Sequence, residues 1–314
     1  MPEQALLKRR VVEGQLAGPH LLVTAGVHGD EYEPMAAVRR LAEAVSPAEL
    51  RGKLTLVPVV NELAFERSSR TGEDGLDLAR TCPGRADGSL TERVAFELSE
   101  LIRGADYYID LHTGGTVLEF VPLVGYSLHP DPQVLDAQRR MARAFGLNLI
   151  WGTTAELEGR TLSVARDARV PAIYAEWRGG PYDPAGVEAL ADGCLGVMSE
   201  LGMIDRRSRA TVPSPVERPL IIEDPRPASG HMQVCHPASE AGFFEPAVNL
   251  CQKVAKGEVL GHICDVLGSR QSPQHACQSG MVIGLRATSR VERDTALAVI
   301  VELEYAKELS PHDR

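Results

Sequence analysis

Short apolar runs alternate with amphipathic stretches over the first two-thirds of the chain, and this alternation limits the open folds more than any other feature. The runs Leu21 to Ala25, Leu54 to Val60, Tyr107 to Leu111, Phe120 to Val124 and Ala172 to Glu176 each have the length of one strand. Between them, Glu31 to Val45 sets Met35, Val38, Leu41, Ala42 and Val45 at helical spacing, with Asp30 as the expected N-cap and Pro34 in the first turn. Further helices are predicted at Thr91 to Arg103, Pro132 to Phe145, Thr161 to Asp167 and Pro184 to Leu201. Strands separated by helices of this length read as an α/β domain, its helices covering a largely parallel or mixed sheet.

The register changes after Asp205. Arg206, Arg207, Ser208 and Arg209 lead into a series of prolines from Pro213 to Pro227, the composition of an interdomain connection. Beyond it come the short runs Leu220 to Glu223, Gly242 to Phe244, Val259 to Cys264, Gly280 to Leu285 and Leu297 to Glu304, spaced as in a small all-β module. The expected division is a catalytic domain at 1–205 and a β-rich C-terminal domain at 206–314.

Charge narrows the partners. Lys plus Arg number 33 against 43 Asp plus Glu, a net charge of −10 that works against nucleic acid or an anionic membrane. No apolar stretch approaches the roughly 18 residues of a membrane-spanning helix, and Met1 to Arg10 lacks the apolar segment of a secretory signal. A cytoplasmic protein is expected. The six cysteines contain no C-x-x-C pair and read as reduced, mostly buried residues. The chain also lacks G-x-S-x-G, G-x-G-x-x-G and the P-loop, so serine hydrolase, dinucleotide oxidoreductase and NTPase readings lose their usual support.

The segment Thr24-Ala25-Gly26-Val27-His28-Gly29-Asp30-Glu31 runs from a strand through a glycine-flanked turn into a helix start. It brings His28 and Glu31 together, an imidazole and a carboxylate of the kind a catalytic zinc site takes as two of three protein ligands. A third ligand should come from another strand end, and Asp110-Leu111-His112-Thr113-Gly114-Gly115 offers His112 directly after an apolar run. Asp110 lies two residues before His112, so on an extended backbone both side chains face one way and the carboxylate can orient the imidazole.

These strings, G-V-H-G-D-E at 26–31 and D-L-H-T-G-G at 110–115, flank N-E-L-A-F-E-R-S-S-R-T-G-E-D-G-L-D-L-A-R-T-C-P-G at 61–84. In this order and spacing they resemble the succinylglutamate desuccinylase/aspartoacylase family of zinc-dependent deacylases, and the similarity runs on through the C-terminus. The branch with the same H-G-D-E-Y-E start is that of the N-acetyl-diaminobutyrate deacetylases. The resemblance implies a zinc-carboxypeptidase-like fold, a mixed sheet flanked by helices, with a small C-terminal all-β domain. It implies one zinc ion per chain on His28, Glu31 and His112, and a catalytic glutamate at Glu176 that takes a proton from the attacking water and passes it to the leaving amine. Independently, a carboxylate ending the Ala172 run would share a sheet edge with the ligands.

Arg70 falls where the family places an arginine that polarises the scissile carbonyl, with Arg67 as a nearby decoy. Where the family commonly has an Asn-Arg clamp for the substrate carboxylate, this chain has Ala79-Arg80, so Arg80 keeps the charged contact and the amide is missing. Arg160, Arg166, Arg169 and Arg178 flank the expected catalytic strand; one or more could bind an acidic part of the substrate, while each taken singly reads as a solvated helix residue. The expected activity is hydrolysis of the amide of a small N-acyl amino acid or related amine, a small-molecule substrate, with multimers implied by the resemblance. The rivals are a metallocarboxypeptidase or peptide amidase, and a non-catalytic binding protein on the same fold. The stretch 254–263 has the outline of a biotinyl or lipoyl hairpin, but no lysine lies between Gly257 and Ala306 to be modified.

Overall fold

Strand β2 (Leu16–Ala25) is buried along its whole second half, and its residues feed two different cores. Leu21, Val23 and Ala25 pack on one side and Leu22 on the other. Apolar side chains on both faces of one strand require helices above and below it, the arrangement of a parallel sheet interior. The computed structural model, which describes residues 6–205, 216, 218–227, 229–230 and 236–307, has this arrangement.

Nine strands form the large sheet. They are β1 (Arg10–Glu13), β2, β3 (Arg51–Val57), β4 (Tyr107–Thr113), β6 (Leu123–Ser127), β7 (Leu149–Thr153), β8 (Ala172–Trp177), β9 (Leu220–Glu223) and β18 (Ala306–Lys307), in the spatial order β1-β3-β2-β4-β8-β6-β7-β9-β18. The middle strands β3, β2, β4 and β8 run parallel, so their carboxyl ends share one edge. Helices α1 (Tyr32–Ala44), α4 (Pro132–Phe145) and α6 (Pro184–Glu200) supply one core, and α3 (Leu90–Arg103) with α5 (Thr161–Asp167) supply the other. Their starts follow the local chemistry: Ser89 and Glu92 form a capping box on α3, while Asp131 and Asp183 cap α4 and α6 ahead of Pro132 and Pro184. A short helix, α2 (Glu62–Glu66), follows β3.

The remaining strands build two antiparallel sheets. β10 (His236–Pro237), β17 (Ala296–Val301), β15 (Gly280–Arg286) and β12 (Lys253–Val254) form one, with β5 (Leu118–Phe120) added to β15. β14 (Gln271–His275), β13 (Val259–Cys264), β11 (Gly242–Pro246) and β16 (Arg290–Val291) form the other. The α/β architecture with an all-β C-terminal part is as expected. No helix among the described residues is long and apolar enough to cross a membrane.

Three local expectations are corrected. The single strand expected at Phe120 to Val124 is two strands, because Pro122 cannot donate to a ladder; β5 joins the C-terminal sheet and β6 joins β8. The run Leu220 to Glu223, expected in the C-terminal unit, pairs in parallel with β7 in the large sheet, a position open to it because β7 is itself a short buried strand that the apolar pattern did not mark. Glu31, not Asp30, occupies the N-cap of α1 and makes no capping bond; its carboxylate is turned elsewhere, and Asp30 instead accepts from Thr116. The connection at 206–215 lies outside the described residues. We propose that the C-terminal unit proper runs from His236 to Val301, with the chain returning to the large sheet at either side of it.

Candidate active site and metal centre

Three adjacent parallel strands deliver the site. β2 ends at Ala25 and leads to His28 and Glu31, while His112 and Glu176 lie near the ends of β4 and β8 as direct register partners. Gly29 makes the turn fit: a Cβ there would come within 2.0 Å of the Ala64 carbonyl carbon. Backbone cannot yield as a side-chain tip can, so Gly29→Ala is expected to destabilise the fold by about 1–3 kcal/mol. Thermal unfolding checks this, and an unchanged Tm would show that the turn has room.

Glu31 is the centre of the arrangement. Its Oε1 lies 2.6 Å from His28 Nδ1 and its Oε2 3.0 Å from His112 Nδ1, with the Thr113 backbone N–H donating to Oε2 at 3.3 Å. The outer ring nitrogens are engaged as well, His28 Nε2 by Asp77 Oδ1 at 3.2 Å and His112 Nε2 by Asp110 Oδ2 at 3.1 Å. Asp110 also accepts from Thr24 at 2.8 Å and from Thr161 at 2.6 Å. A neutral imidazole has one N–H, enough for one of its two carboxylate neighbours. With both hydrogens on Nε2, directed at Asp77 and Asp110, two Nδ1 lone pairs and the Glu31 carboxylate face one another.

That convergence of lone pairs and negative charge calls for a cation, and it tests whether a metal fits. The donor atoms of His28, Glu31 and His112 lie within 4.8 Å of one another, the one such group among the described residues. Two nitrogens and a carboxylate oxygen, with carboxylates behind both rings, suit zinc. The proton affinities of Glu31 and His112 reflect the same demand for positive charge. Burial works against ionised Glu31, but His28 and His112 overcome it and hold the carboxyl well below its usual range. Burial likewise opposes charged His112, yet Asp110 and Glu31 hold it well above the usual imidazole value. Asp110→Asn and Asp77→Asn are each expected to weaken metal affinity about 10–100-fold; competition with a chromogenic chelator measures it, and wild-type affinity in both would remove their orienting role.

One cleft is lined by His28, Glu31, Arg70, Arg80, Asp110, His112 and Glu176, all of which the sequence reading singled out. Glu176 is 5% exposed and receives no hydrogen bond among the described residues. Burial and the nearby Glu31 charge push its carboxyl up to about 8. Arg70 donates from Nε and Nη2 to Asp77 Oδ2, at 3.2 and 2.9 Å. Arg80 stands beside Ala79, donating to the Ala79 carbonyl at 2.7 Å. Arg67 is outside the cleft, 3.9 Å from Glu73.

Two charged residues at the site were given no role of their own by the sequence reading. Asp77 joins His28 to Arg70 and is pulled far down in pKa; burial opposes this, and His28 and Arg70 overcome it. Its signal was its place in the quoted 61–84 string, two residues before Ala79. Arg160, read as solvated, lines the cleft: Nη1 donates to the Gly230 carbonyl at 3.2 Å, and the buried Nη2 has no partner among the described residues. Its expected companions do lie outside, Arg166 on Glu158 and Asp167, Arg169 on Asp131, and Arg178 3.7 Å from Glu119.

Known proteins resemble this chain in sequence and in fold. The chain is 28% identical over 293 residues to the N-alpha-acetyl-L-2,4-diaminobutyric acid deacetylase of Halomonas elongata, covering 91% of this chain and 83% of that protein. Among solved structures, the product-bound ectoine utilization protein EutE (DoeB) of Ruegeria pomeroyi superposes with a TM-score of 0.82 at 26% identity, over 93% of this chain and 87% of that one. A succinylglutamate desuccinylase/aspartoacylase from Rhodobacter sphaeroides gives a TM-score of 0.80 at 27% identity, over 94% and 89% of the two chains. The succinylglutamate desuccinylase/aspartoacylase catalytic domain matches residues 17–201, more than half of the chain and all of the cleft residues up to Glu176, and the protein therefore belongs to that family.

Proposed function

We propose that the protein is a zinc-dependent deacylase, with one zinc ion per chain, that hydrolyses the amide of a small N-acylated amino acid or related amine to a carboxylate and a free amine. One observation carries the reading: two imidazoles and a carboxylate converge beside Glu176, a buried carboxylate on the neighbouring strand that receives no hydrogen bond among the described residues. His28, Glu31 and His112 would hold the ion. Zinc, when bound, supplies Lewis acidity, polarising an acyl carbonyl and lowering the pKa of water.

The rest is done by the chain's own side chains. Glu176 takes a proton from the attacking water and hands it to the departing nitrogen, for which a carboxyl with raised proton affinity is suited. Arg70, anchored by Asp77, offers its remaining N–H groups to the developing oxyanion. Arg80 and Arg160 line the same cleft and favour an anionic group on the substrate. With Ala79 contributing only a methyl group, Arg160 supplies charge that compensates for the amide the family commonly has there. The reading includes a cytoplasmic location and a homo-oligomeric assembly.

Because the Halomonas relative is named a diaminobutyric acid deacetylase, N-acetyl-2,4-diaminobutyrate is the first substrate to try. The test combines elemental analysis of the purified protein with amine release from N-acetyl, N-succinyl and N-aspartyl-type amides, before and after chelation. About one zinc per chain and chelator-sensitive release are expected. Cleavage of a peptide with a free C-terminus, and of none of the acylated amino acids, would make the protein a carboxypeptidase. Neither metal uptake nor turnover would leave a binding protein.

A further inference from the structure

Outside the cleft, the C-terminal unit sets a thiol against an imidazole. Cys277, in the turn between β14 and β15, places its Sγ 3.1 Å from Nε2 of His236 on β10, and its backbone N–H donates to the same nitrogen at 3.2 Å. The other ring nitrogen, Nδ1, faces the Ala298 carbonyl oxygen at 3.2 Å. A carbonyl can only accept, so Nδ1 carries the hydrogen and Nε2 presents a lone pair to the thiol. His236 is 5% exposed, whereas Cys277 is exposed. The base is shielded and the nucleophile can be reached. Burial also lowers the imidazole pKa, which keeps the ring neutral, with its one Nε2 lone pair shared between the thiol and the Cys277 backbone N–H.

We propose that Cys277 is a thiolation site, prepared by His236 to react with small-molecule disulfides. Sγ attacks one sulfur of the disulfide while Nε2 takes the Cys277 proton; the old S–S bond breaks as the new one forms. The proton then leaves His236 with the departing thiolate. One disulfide is consumed, one mixed disulfide and one thiol are produced, and no further oxidant is needed. Burial opposes the charge that the imidazole carries in this step, so the proton must pass on with the departing thiolate rather than stay on the ring. Cys251 provides an internal comparison, an exposed thiol with no imidazole partner among the described residues. Cys82, Cys194 and Cys264 are buried.

The test is timed incubation of the full-length, metal-loaded protein with oxidised glutathione, followed by peptide mapping by mass spectrometry. Cys277 is expected to form its mixed disulfide about tenfold faster than Cys251. His236→Gln, which keeps a hydrogen-bonding group of similar reach and removes the base, should bring Cys277 to within about twofold of Cys251. Modification of Cys251 or Cys235 ahead of Cys277, or an unchanged Cys277 rate in the Gln variant, overturns the proposal. Should that variant fail to fold, the ratio of Cys277 to Cys251 in the native protein decides the matter alone.

Discussion

Glu176→Gln is expected to lower kcat by about 10²–10⁴-fold while leaving metal content and Tm close to those of the native protein. The substitution keeps the shape of a buried side chain that receives no hydrogen bond among the described residues, so little structure depends on the charge. What it removes is a group that can exchange a proton. Burial and Glu31 raise the proton affinity of this carboxyl, and a bound divalent cation would work in the opposite direction. As pH rises, Glu176 loses its proton and becomes competent as a base, so kcat/KM should climb on the acid side of its profile. That limb should vanish in the Gln variant. Steady-state kinetics across pH, with elemental analysis of the same preparations, would decide it; a kcat within about threefold of native would mean that another group moves the proton.

Arg70→Ala should cost about 10²–10³-fold in kcat, the usual penalty for removing one charged donor from a developing oxyanion. The geometry supports a preorganised role. Two of the guanidinium donors are committed to Asp77 Oδ2, which fixes the plane of the group and leaves its Nη1 without a hydrogen bond among the described residues. Arg70→Lys restores charge but not the two-point attachment, and should recover only part of the loss. The split between kcat and KM is the informative readout. A raised KM with unchanged kcat would make Arg70 a ground-state binding residue and refute its part in the mechanism.

Glu176 and Arg70 were expected from the family resemblance, whereas the metal-binding residues and Asp110 were legible for a local reason. His28 and Glu31 sit on one turn after one strand, so a single stretch of chain decides that they meet. Asp110 and His112 are two apart on one strand, and the alternation of an extended backbone points both side chains to the same face, where they lie 3.1 Å apart. The α/β alternation is equally local. Helices α3, α4 and α6 each start at a side-chain cap, and all three were expected within a residue or two of where they stand.

Other features depend on parts of the chain far apart in sequence. Phe120 to Val124 reads as one apolar run, yet Pro122 divides it between two sheets, and only the packing of β15 against β5 shows where the first half goes. Leu220 to Glu223 carries no mark of which sheet it joins; its partner β7 lies some seventy residues earlier. Arg160 and Arg166 are chemically identical in sequence, and only the approach of Gly230 to one and Glu158 to the other separates a cleft residue from a surface ion pair. Asp77 matters because it bridges His28 and Arg70, a fact about distances that no pattern in its own segment contains. The sequence by itself determined the main helices and the central strands, the three metal-binding candidates and the local pairs among them, because hydrophobic period and short-range sterics act within a few residues. The tertiary structure decided which charges share one desolvated cleft, because electrostatic and hydrogen-bonding partners are chosen by distance in space rather than along the chain.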